Sequence, residues 1–264
     1  MFRRRVHFLH IAGISVGADV SSVLVLLLVV WSLGNRPGWL PDLPSAMRWG
    51  TALMGALLLF LSIVIHELGH AFAARAVGTE VERVTLFLFG GVAELRSEPL
   101  RPWRDAITTG AGPAATGLLV LILWLVTRAS VAVTGDIGAA AFTLLQYLLT
   151  INTLLALFNL APAFPLDGGR LLRAVLWQSK GDYRWATVVA ARVGTILAAG
   201  LILFGILVVL RFGQTLAAPE LGIRLSGLWY ALIGTFLLRS SLQIAQAYRA
   251  SPSLGSPESS NAPS

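Results

Sequence analysis

The chain contains no cysteine, only one lysine, and few charged residues of either sign. The absence of cysteine excludes thiolate metal sites, cysteine nucleophiles and disulfide-stapled folds. Charged residues make up 12% of the 264 residues, whereas a typical soluble domain has about 25%. Hydrophobic residues make up 56% and include long uncharged runs such as residues 20–33. Because so few charged residues cannot cover the surface of a soluble domain, the sequence predicts an integral membrane protein.

Hydropathy averaged over windows of about 19 residues predicts six transmembrane helices. These are residues 16–33, 50–77, 106–127, 137–160, 188–210 and 225–242. The expected fold class is therefore an all-α polytopic membrane protein, with a single transmembrane domain over residues 1–250. Residues 251–264 are rich in serine and proline, which predicts a disordered cytoplasmic tail. No small-residue cleavage site follows the first apolar segment, so a retained membrane anchor is favoured over a signal peptide.

Basic residues are distributed unequally between the two faces of this six-helix arrangement. An even number of helices places both termini on one face, and fifteen of the twenty basic residues fall there. The other five are Arg36, Arg48, Arg128, Arg211 and Arg224. Because basic residues collect in cytoplasmic loops, both termini are predicted to be cytoplasmic in a multi-pass protein of the cell membrane. The bias accounts for the net charge of +7 without a nucleic-acid partner, and leaves the lipid bilayer as the expected surroundings.

Residues 81–95, between the second and third predicted helices, differ from an ordinary loop. β-Branched and aromatic residues flank Gly90 and Gly91, which predicts a membrane-associated β-hairpin. Backbone polar groups must be satisfied in lipid, so such a hairpin would pack on protein or line a wet cavity. Its exposed edge could accept a further strand. An interfacial loop with no role in substrate binding is the alternative.

The second predicted helix contains the pattern His-Glu-Leu-Gly-His at residues 66–70. His66 and His70 are four residues apart and share one helix face, close enough to bind a single zinc ion. Glu67 lies about 100° around the helix from His66, where it can act as a general base without being a ligand. This is the pattern of zinc proteases, and ionisable residues inside a transmembrane helix are costly enough to indicate function. A buried polar cluster that holds helices together is the alternative.

A catalytic zinc site needs a third protein ligand, and Asp167 is the best-placed acidic residue. The second and fourth predicted helices run in the same direction, so the segment after the fourth helix reaches the side and depth of the histidines. There, Pro162 and Pro165 are expected to make the chain extended and stiff, while Gly168 and Gly169 allow a close backbone approach. Taken alone, Asp167 would fit a helix N-cap; beside the histidine pair it is interpreted as a metal ligand.

Two asparagines, Asn152 and Asn159, are seven residues apart on one face of the fourth predicted helix. Polar amides in lipid need partners, so hydrogen bonding between helices is one interpretation of both residues. Asn159 is the closer to Asp167. Its side-chain amide is a candidate catalytic group that would stabilise the oxyanion formed when a carbonyl is attacked.

Two motifs together resemble the site-2 protease family of intramembrane zinc metalloproteases. One is His-Glu-Leu-Gly-His at residues 66–70, and the other is residues 159–169 with their Pro-Leu-Asp-Gly-Gly core. The order of the motifs, their separation and the hairpin between them are also similar to the family. The resemblance is to its bacterial and archaeal six-span branch, and we expect no appended regulatory domain.

The resemblance implies one Zn²⁺ per chain, held by His66, His70 and Asp167. It implies that Glu67 is the catalytic base, that Asn159 lies near the scissile carbonyl, and that the hairpin clamps the substrate as a strand. The implied substrate is a transmembrane protein, such as a membrane-bound transcription regulator or an anti-sigma factor.

The function expected from these residues is that of a zinc metalloendopeptidase. It would hydrolyse a peptide bond in or near the transmembrane segment of a membrane protein, as in regulated intramembrane proteolysis. A metal-ion transporter, which would place ionisable residues along a path across the membrane, and a non-proteolytic zinc-binding membrane protein are the alternatives. The chain departs from the family at residues 112–116, where Thr116 replaces the usual asparagine of a Gly-x-x-x-Asn-like motif. That helix is therefore assigned to packing.

Overall fold

The computed structural model describes residues 5–11, 13–36, 38–40, 42–79, 81–87, 90–95, 101–130, 133–211 and 218–250. The helices are α1 (Val20–Gly34), α2 (Ser45–Ala76), α3 (Pro102–Ser130), α4 (Gly135–Asn159), α5 (Asp167–Lys180), α6 (Tyr183–Arg211) and α7 (Ala218–Ala250). The strands are β1 (Arg5–Ile11), β2 (Ile14–Asp19), β3 (Val81–Phe87) and β4 (Gly90–Leu95). The tail predicted for residues 251–264 lies outside the described residues.

Within the described residues, four helices are long and apolar enough to cross a membrane, namely α2, α3, α4 and α6. Helix α1 contains a shorter apolar segment, Ser22–Gly34. Large apolar side chains point outward from these helices: Leu118 is 60% exposed, Leu157 63% and Ile196 72%. Apolar surface on this scale is unfavourable in water, so the chain is a multi-pass membrane protein. Each of the six predicted segments overlaps a helix, and six complete spans remain a prediction.

One compact unit consists of Met1–Pro99 together with Gly110–Phe158. In it α1 packs on α2 around an apolar cluster that includes Leu33, Trp39, Ala52 and Ala140. A four-stranded sheet in the order β1-β2-β3-β4 belongs to the same unit. Strands β2 and β3 are parallel, while the two outer pairs, β1 with β2 and β3 with β4, are antiparallel.

The sheet is larger than the sequence analysis expected. Strands β3 and β4 pair over the stretch predicted as a hairpin, with Thr85 opposite Val92; residues 88–89 lie outside the described residues. Strands β1 and β2 were not predicted, and the expected start of the first helix at residue 16 is wrong because residues 15–18 pair with residues 83–86. Hydropathy alone does not separate an apolar strand from the start of an apolar helix. Association of the strands with the membrane remains a prediction.

The second compact unit consists of Leu100–Thr109 together with Asn159–Ser264. Helices α6 and α7 pack closely at glycines, since a Cβ atom at Gly205 would lie 2.5 Å from the Gly227 carbonyl oxygen. Arg184, in the first turn of α6, donates hydrogen bonds to the carbonyl oxygens of Tyr248 and Arg249. A basic side chain that satisfies the last carbonyls of a helix stabilises the helix end. The single domain expected over residues 1–250 remains a prediction.

Candidate metal centre

Helix α2 places both histidines of the His-Glu-Leu-Gly-His motif. It runs from Ser45 to Ala76 without an internal proline, and Gly78, with φ of +83°, turns the chain away from the helix. The Nε2 atoms of His66 and His70 face each other at 3.2 Å, and the two side chains are buried at 4% and 7% exposure. Two nitrogens bound to one tetrahedral zinc at about 2.0–2.1 Å lie roughly 3.3 Å apart. The histidine pair therefore has the spacing that a zinc ion requires.

Helix α3 presents small residues to this face of α2. A Cβ atom at Gly112 would lie 2.1 Å from His70 Nε2, and a Cβ atom at Gly69 would lie 2.7 Å from the Ala111 carbonyl oxygen. Small residues allow two helices in a membrane to approach this closely. Gly112 and Thr116 are four residues apart on α3, just as His66 and His70 are on α2, so each small residue meets one histidine.

Thr116 meets His66 through its hydroxyl group. The Oγ1 atom lies 2.9 Å from His66 Nδ1, and Thr116 is fully buried. The sequence analysis assigned this part of α3 to packing only, and that assignment misses the polar contact. The available signal was the spacing of Gly112 and Thr116, which matches the spacing of the histidines.

The close contact between Gly112 and the His70 ring leads to a prediction about zinc affinity. Gly112→Ala would place a methyl group against the His70 ring, so we expect zinc to bind about tenfold more weakly or worse. Gly117→Ala is the matched control. Gly117 is on the same helix, and a Cβ atom added there would have no neighbouring atom within 4 Å. Competition between each purified variant and a zinc chelator measures the affinities. Equal affinities for the two variants would show that α3 does not constrain His70.

Asp167 is the first residue of α5 and is buried at 8% exposure. The N-cap of α5 is Leu166, so the interpretation of Asp167 as an N-cap is wrong, although a carboxylate in the first helical turn is still favoured by the helix dipole. A Cβ atom at Gly168 would lie 2.1 Å from the Leu160 carbonyl oxygen, and one at Gly169 would lie 2.7 Å from the Ala163 carbonyl carbon. The glycine pair therefore lies close to the backbone of the residues just before α5, and its close approach to the histidines remains a prediction.

The segment between α4 and α5 is a series of turns, not the extended chain that its prolines suggested. The amide of Leu166 donates to the Ala163 carbonyl at 2.9 Å, and Ser241 Oγ donates to the Phe164 carbonyl at 3.3 Å. Proline restricts the residue before it, but these hydrogen bonds fold the chain between the two prolines. The turns thus hold the start of α5, and with it the backbone of Asp167.

A buried ion pair fixes α5 from its other side. Arg173 donates two hydrogen bonds to Asp105 Oδ2, from Nε at 3.0 Å and from Nη2 at 2.7 Å. Burial lowers the pKa of Arg173, but the charge of Asp105 more than offsets it, with further help from Tyr183, so the pKa lies above its ordinary value. The pair joins the first turn of α3 to α5. The sequence analysis did not find it, because 68 positions separate the two residues and no spacing rule connects them.

The two asparagines of α4 differ in their surroundings. Asn152 is fully buried and its Nδ2 donates to the Leu148 carbonyl at 2.8 Å. Its Oδ1 has no hydrogen-bond partner among the described residues, and bonding of Asn152 to another helix remains a prediction. Asn159 is half-buried at the last position of α4. Its role near a scissile carbonyl remains a prediction too.

One group of side chains in the described residues has the composition of a metal site. Ligand atoms of His66, His70 and Asp167 all lie within 4.8 Å of one another, and all three residues are buried. Two imidazoles and one carboxylate are a donor set that zinc accepts with a fourth position left open. The residues therefore fit one zinc ion. Glu67, adjacent in sequence to His66, is buried at 7% exposure and is not a member of this group.

Comparison with known proteins finds relatives that are named as zinc metalloproteases. The sequence pattern of Peptidase family M50 matches residues 54–135 and 129–201. The protein named "Putative zinc metalloprotease sll0528" from Synechocystis sp. is 39% identical over 233 residues, which cover 87% of this chain and 56% of that protein. "Zinc metalloprotease MJ0392" from Methanocaldococcus jannaschii is 33% identical over 198 residues, which cover 75% of this chain and 52% of that protein. The chain thus spans about half the length of the curated relatives it matches.

A solved structure is also similar to this chain. The site-2 protease from Methanocaldococcus jannaschii superimposes with a TM-score of 0.57 at 27% sequence identity, covering 92% of this chain and 95% of that chain. The match extends over nearly all of both chains and is therefore not limited to the two motifs.

Proposed function

The chain belongs to Peptidase family M50, and we propose that it is a membrane-embedded zinc endopeptidase. It hydrolyses a peptide bond in or near the transmembrane segment of a membrane-protein substrate. The observation that carries this proposal is the buried group of His66, His70 and Asp167, whose ligand atoms lie within 4.8 Å of one another. Helices that are apolar enough to cross a membrane supply the setting.

The three residues of this group would hold the zinc ion. His66 and His70 would bind it through the Nε2 atoms that face each other at 3.2 Å, and Asp167 would bind it through a carboxylate oxygen. Zinc in such a site supplies Lewis acidity, polarising a carbonyl and making water acidic enough to lose a proton near neutral pH. Burial of all three side chains excludes bulk solvent, which strengthens electrostatic interactions at the site.

Two further residues act on the substrate. Glu67 takes a proton from the attacking water and returns it to the leaving amine, as a general base and then a general acid. Its position next to His66 in α2 supports this role. Asn159 donates its side-chain N–H to the oxygen of the scissile carbonyl as negative charge develops there. Its place at the end of α4, eight residues before Asp167, supports the second role.

The substrate binds as an extended strand. A peptide bond inside a helix is shielded, and its carbonyl is already hydrogen-bonded, so the substrate must unwind locally before it is cut. Strand β4 is an edge of the sheet in the described part of the chain, and an edge strand can pair with an extended peptide. Membrane-bound transcription regulators and anti-sigma factors are the substrate class we favour, as in regulated intramembrane proteolysis.

We also propose that the protein lies in the cell membrane with both termini in the cytoplasm. Fifteen of the twenty basic residues lie on the side of the termini when six spans are assumed, and the other five are Arg36, Arg48, Arg128, Arg211 and Arg224. Such a bias is typical of cytoplasmic loops.

Removal of the metal tests the proposed function. Purified in detergent, the protein should contain about one zinc per chain, and a chelator should remove the zinc together with proteolytic activity. Added zinc should restore both. The probes are single-span membrane proteins of the host, each tagged on both sides of its transmembrane segment, and gel mobility of the tagged fragments reports cleavage.

Matched variants show whether the proposed ligands carry the metal. Asp167→Ala should lose zinc, whereas Asp136→Ala, which alters an exposed acidic residue in the first turn of α4, should retain it. Zinc in full amount in Asp167→Ala would remove Asp167 from the ligand set. If the zinc-loaded wild-type protein cut none of the tagged single-span proteins, this result would contradict the proposed endopeptidase function.

A further inference from the structure

The hydroxyl of Thr116 is placed differently from those of other threonines in the spans. Thr127, Thr153 and Thr187 donate to carbonyl oxygens four residues earlier in their own helices, at 2.7, 2.7 and 2.8 Å. Such bonds satisfy a hydroxyl within its helix. Thr116 Oγ1 instead lies 2.9 Å from a ring nitrogen on a neighbouring helix, His66 Nδ1. Both residues are buried, Thr116 at 0% exposure and His66 at 4%.

We propose that Thr116 is a positioning residue that holds His66 in the tautomer and orientation required to bind the metal. The proposal rests on the proposed zinc site. The hydroxyl oxygen accepts a hydrogen bond from Nδ1–H, so Nε2 carries its lone pair on the side that faces His70. A ligand histidine commonly donates its second ring N–H to such a partner, and the partner raises the affinity of the site by fixing the ring.

Loss of the hydroxyl would favour the wrong tautomer. A neutral imidazole carries its proton on either Nδ1 or Nε2. Without the hydroxyl, a proton on Nδ1 would lose its hydrogen bond to Thr116 in a buried site, which is costly. A proton on Nε2 could instead be donated to His70 Nε2, only 3.2 Å away. That hydrogen bond would occupy both of the nitrogens that the metal needs, and binding would have to break it.

Packing alone is the competing role for Thr116, and two substitutions separate the roles. Thr116→Val keeps the shape of the side chain and removes the hydroxyl, whereas Thr116→Ser keeps the hydroxyl and removes the methyl group. A role in packing predicts that valine is tolerated and serine is not. A role in positioning His66 predicts the opposite order.

The test is a competition titration of zinc against a chelator with the purified full chain in detergent. We expect Thr116→Val to bind zinc about 10–100-fold more weakly than the wild type, and Thr116→Ser to lie within about threefold of it. Thr187→Val is the matched control, because Thr187 is equally buried and its hydroxyl donates to the Tyr183 carbonyl within α6. The zinc affinity of this variant should equal that of the wild type.

Cleavage of the tagged single-span proteins gives a second measurement. If Thr116→Val has only lost metal affinity, its cleavage should recover when free zinc is raised by the same 10–100-fold. Wild-type zinc affinity in Thr116→Val, or equal losses in Thr116→Val and Thr116→Ser, would overturn the proposal. Failure of the wild-type protein to bind zinc would instead overturn the proposed function, so the two failures are distinguishable.

Discussion

Glu67→Gln is expected to lower the rate of substrate cleavage by about 10²–10⁴-fold, the loss that follows removal of a general base. The glutamine side chain has the size of the glutamate it replaces, so the helix and its packing should be unchanged. Because Glu67 is outside the group of ligand atoms that lie within 4.8 Å, the variant should still contain about one zinc per chain. Both expectations are checked on the same preparation: one assay measures cleavage of the tagged single-span proteins, and the other measures zinc content.

The matched comparison is His66→Ala, which should lose zinc and cleavage together. Glu67→Gln should lose cleavage alone, and should still capture substrate, because recognition depends on other parts of the chain. Cleavage at the wild-type rate by zinc-loaded Glu67→Gln would contradict the role of Glu67 as the base. Loss of zinc from Glu67→Gln would instead make Glu67 a ligand or a support for one.

The histidine half of the site was predictable because its geometry is local. Residues four apart on a helix always share a face, so the sequence alone placed His66 beside His70 once α2 was recognised as a helix. The structure adds their 3.2 Å separation. Similarly, the glycine pair after Asp167 predicts a close backbone approach, and Gly168 contacts the Leu160 carbonyl.

The parts that the sequence did not predict depend on contacts between distant segments. Strand β2 is apolar and leads directly into α1, so hydropathy merged the two into one helix; only pairing with β3 makes residues 15–18 a strand. Thr116 is an ordinary helix residue by composition, and its hydroxyl gains a role only where α3 brings it to His66. Asp105 and Arg173 are each unremarkable in sequence, and their pairing follows from the fold.

Misassignment of the 160–166 segment has a related cause. Proline restricts local backbone angles and predicted an extended chain, but hydrogen bonds from Leu166 to Ala163 and from Ser241 to Phe164 determine the observed turns. The consequence concerns the site, because this segment ends at Asp167. The position of Asp167 therefore depends on residues of α5, α7 and the turns together, and not on the Pro-Leu-Asp-Gly-Gly motif alone.

The largest expected effect on stability comes from breaking the buried ion pair of Asp105 and Arg173. Asp105 is 1% exposed and Arg173 8%, so Asp105→Ala would leave a buried guanidinium without its carboxylate. Removing one partner of such a pair costs about 3–5 kcal/mol. Asp182→Ala is the matched control: Asp182 accepts a hydrogen bond from the Trp185 amide at an exposed helix start, where loss of the cap costs about 0.5–2 kcal/mol.

Unfolding of the purified variants by denaturant in detergent measures both free-energy changes, and a double variant identifies their origin. Asp105→Leu combined with Arg173→Met removes both charges and should recover most of the stability lost in Asp105→Ala, because no unpaired charge then remains buried. Since Arg173 lies six residues after Asp167 on α5, zinc affinity should fall in Asp105→Ala and recover in the double variant. If Asp105→Ala were no less stable than Asp182→Ala, the ion pair would not be what holds α5 against the start of α3, and the position of Asp167 would depend on the turns before it.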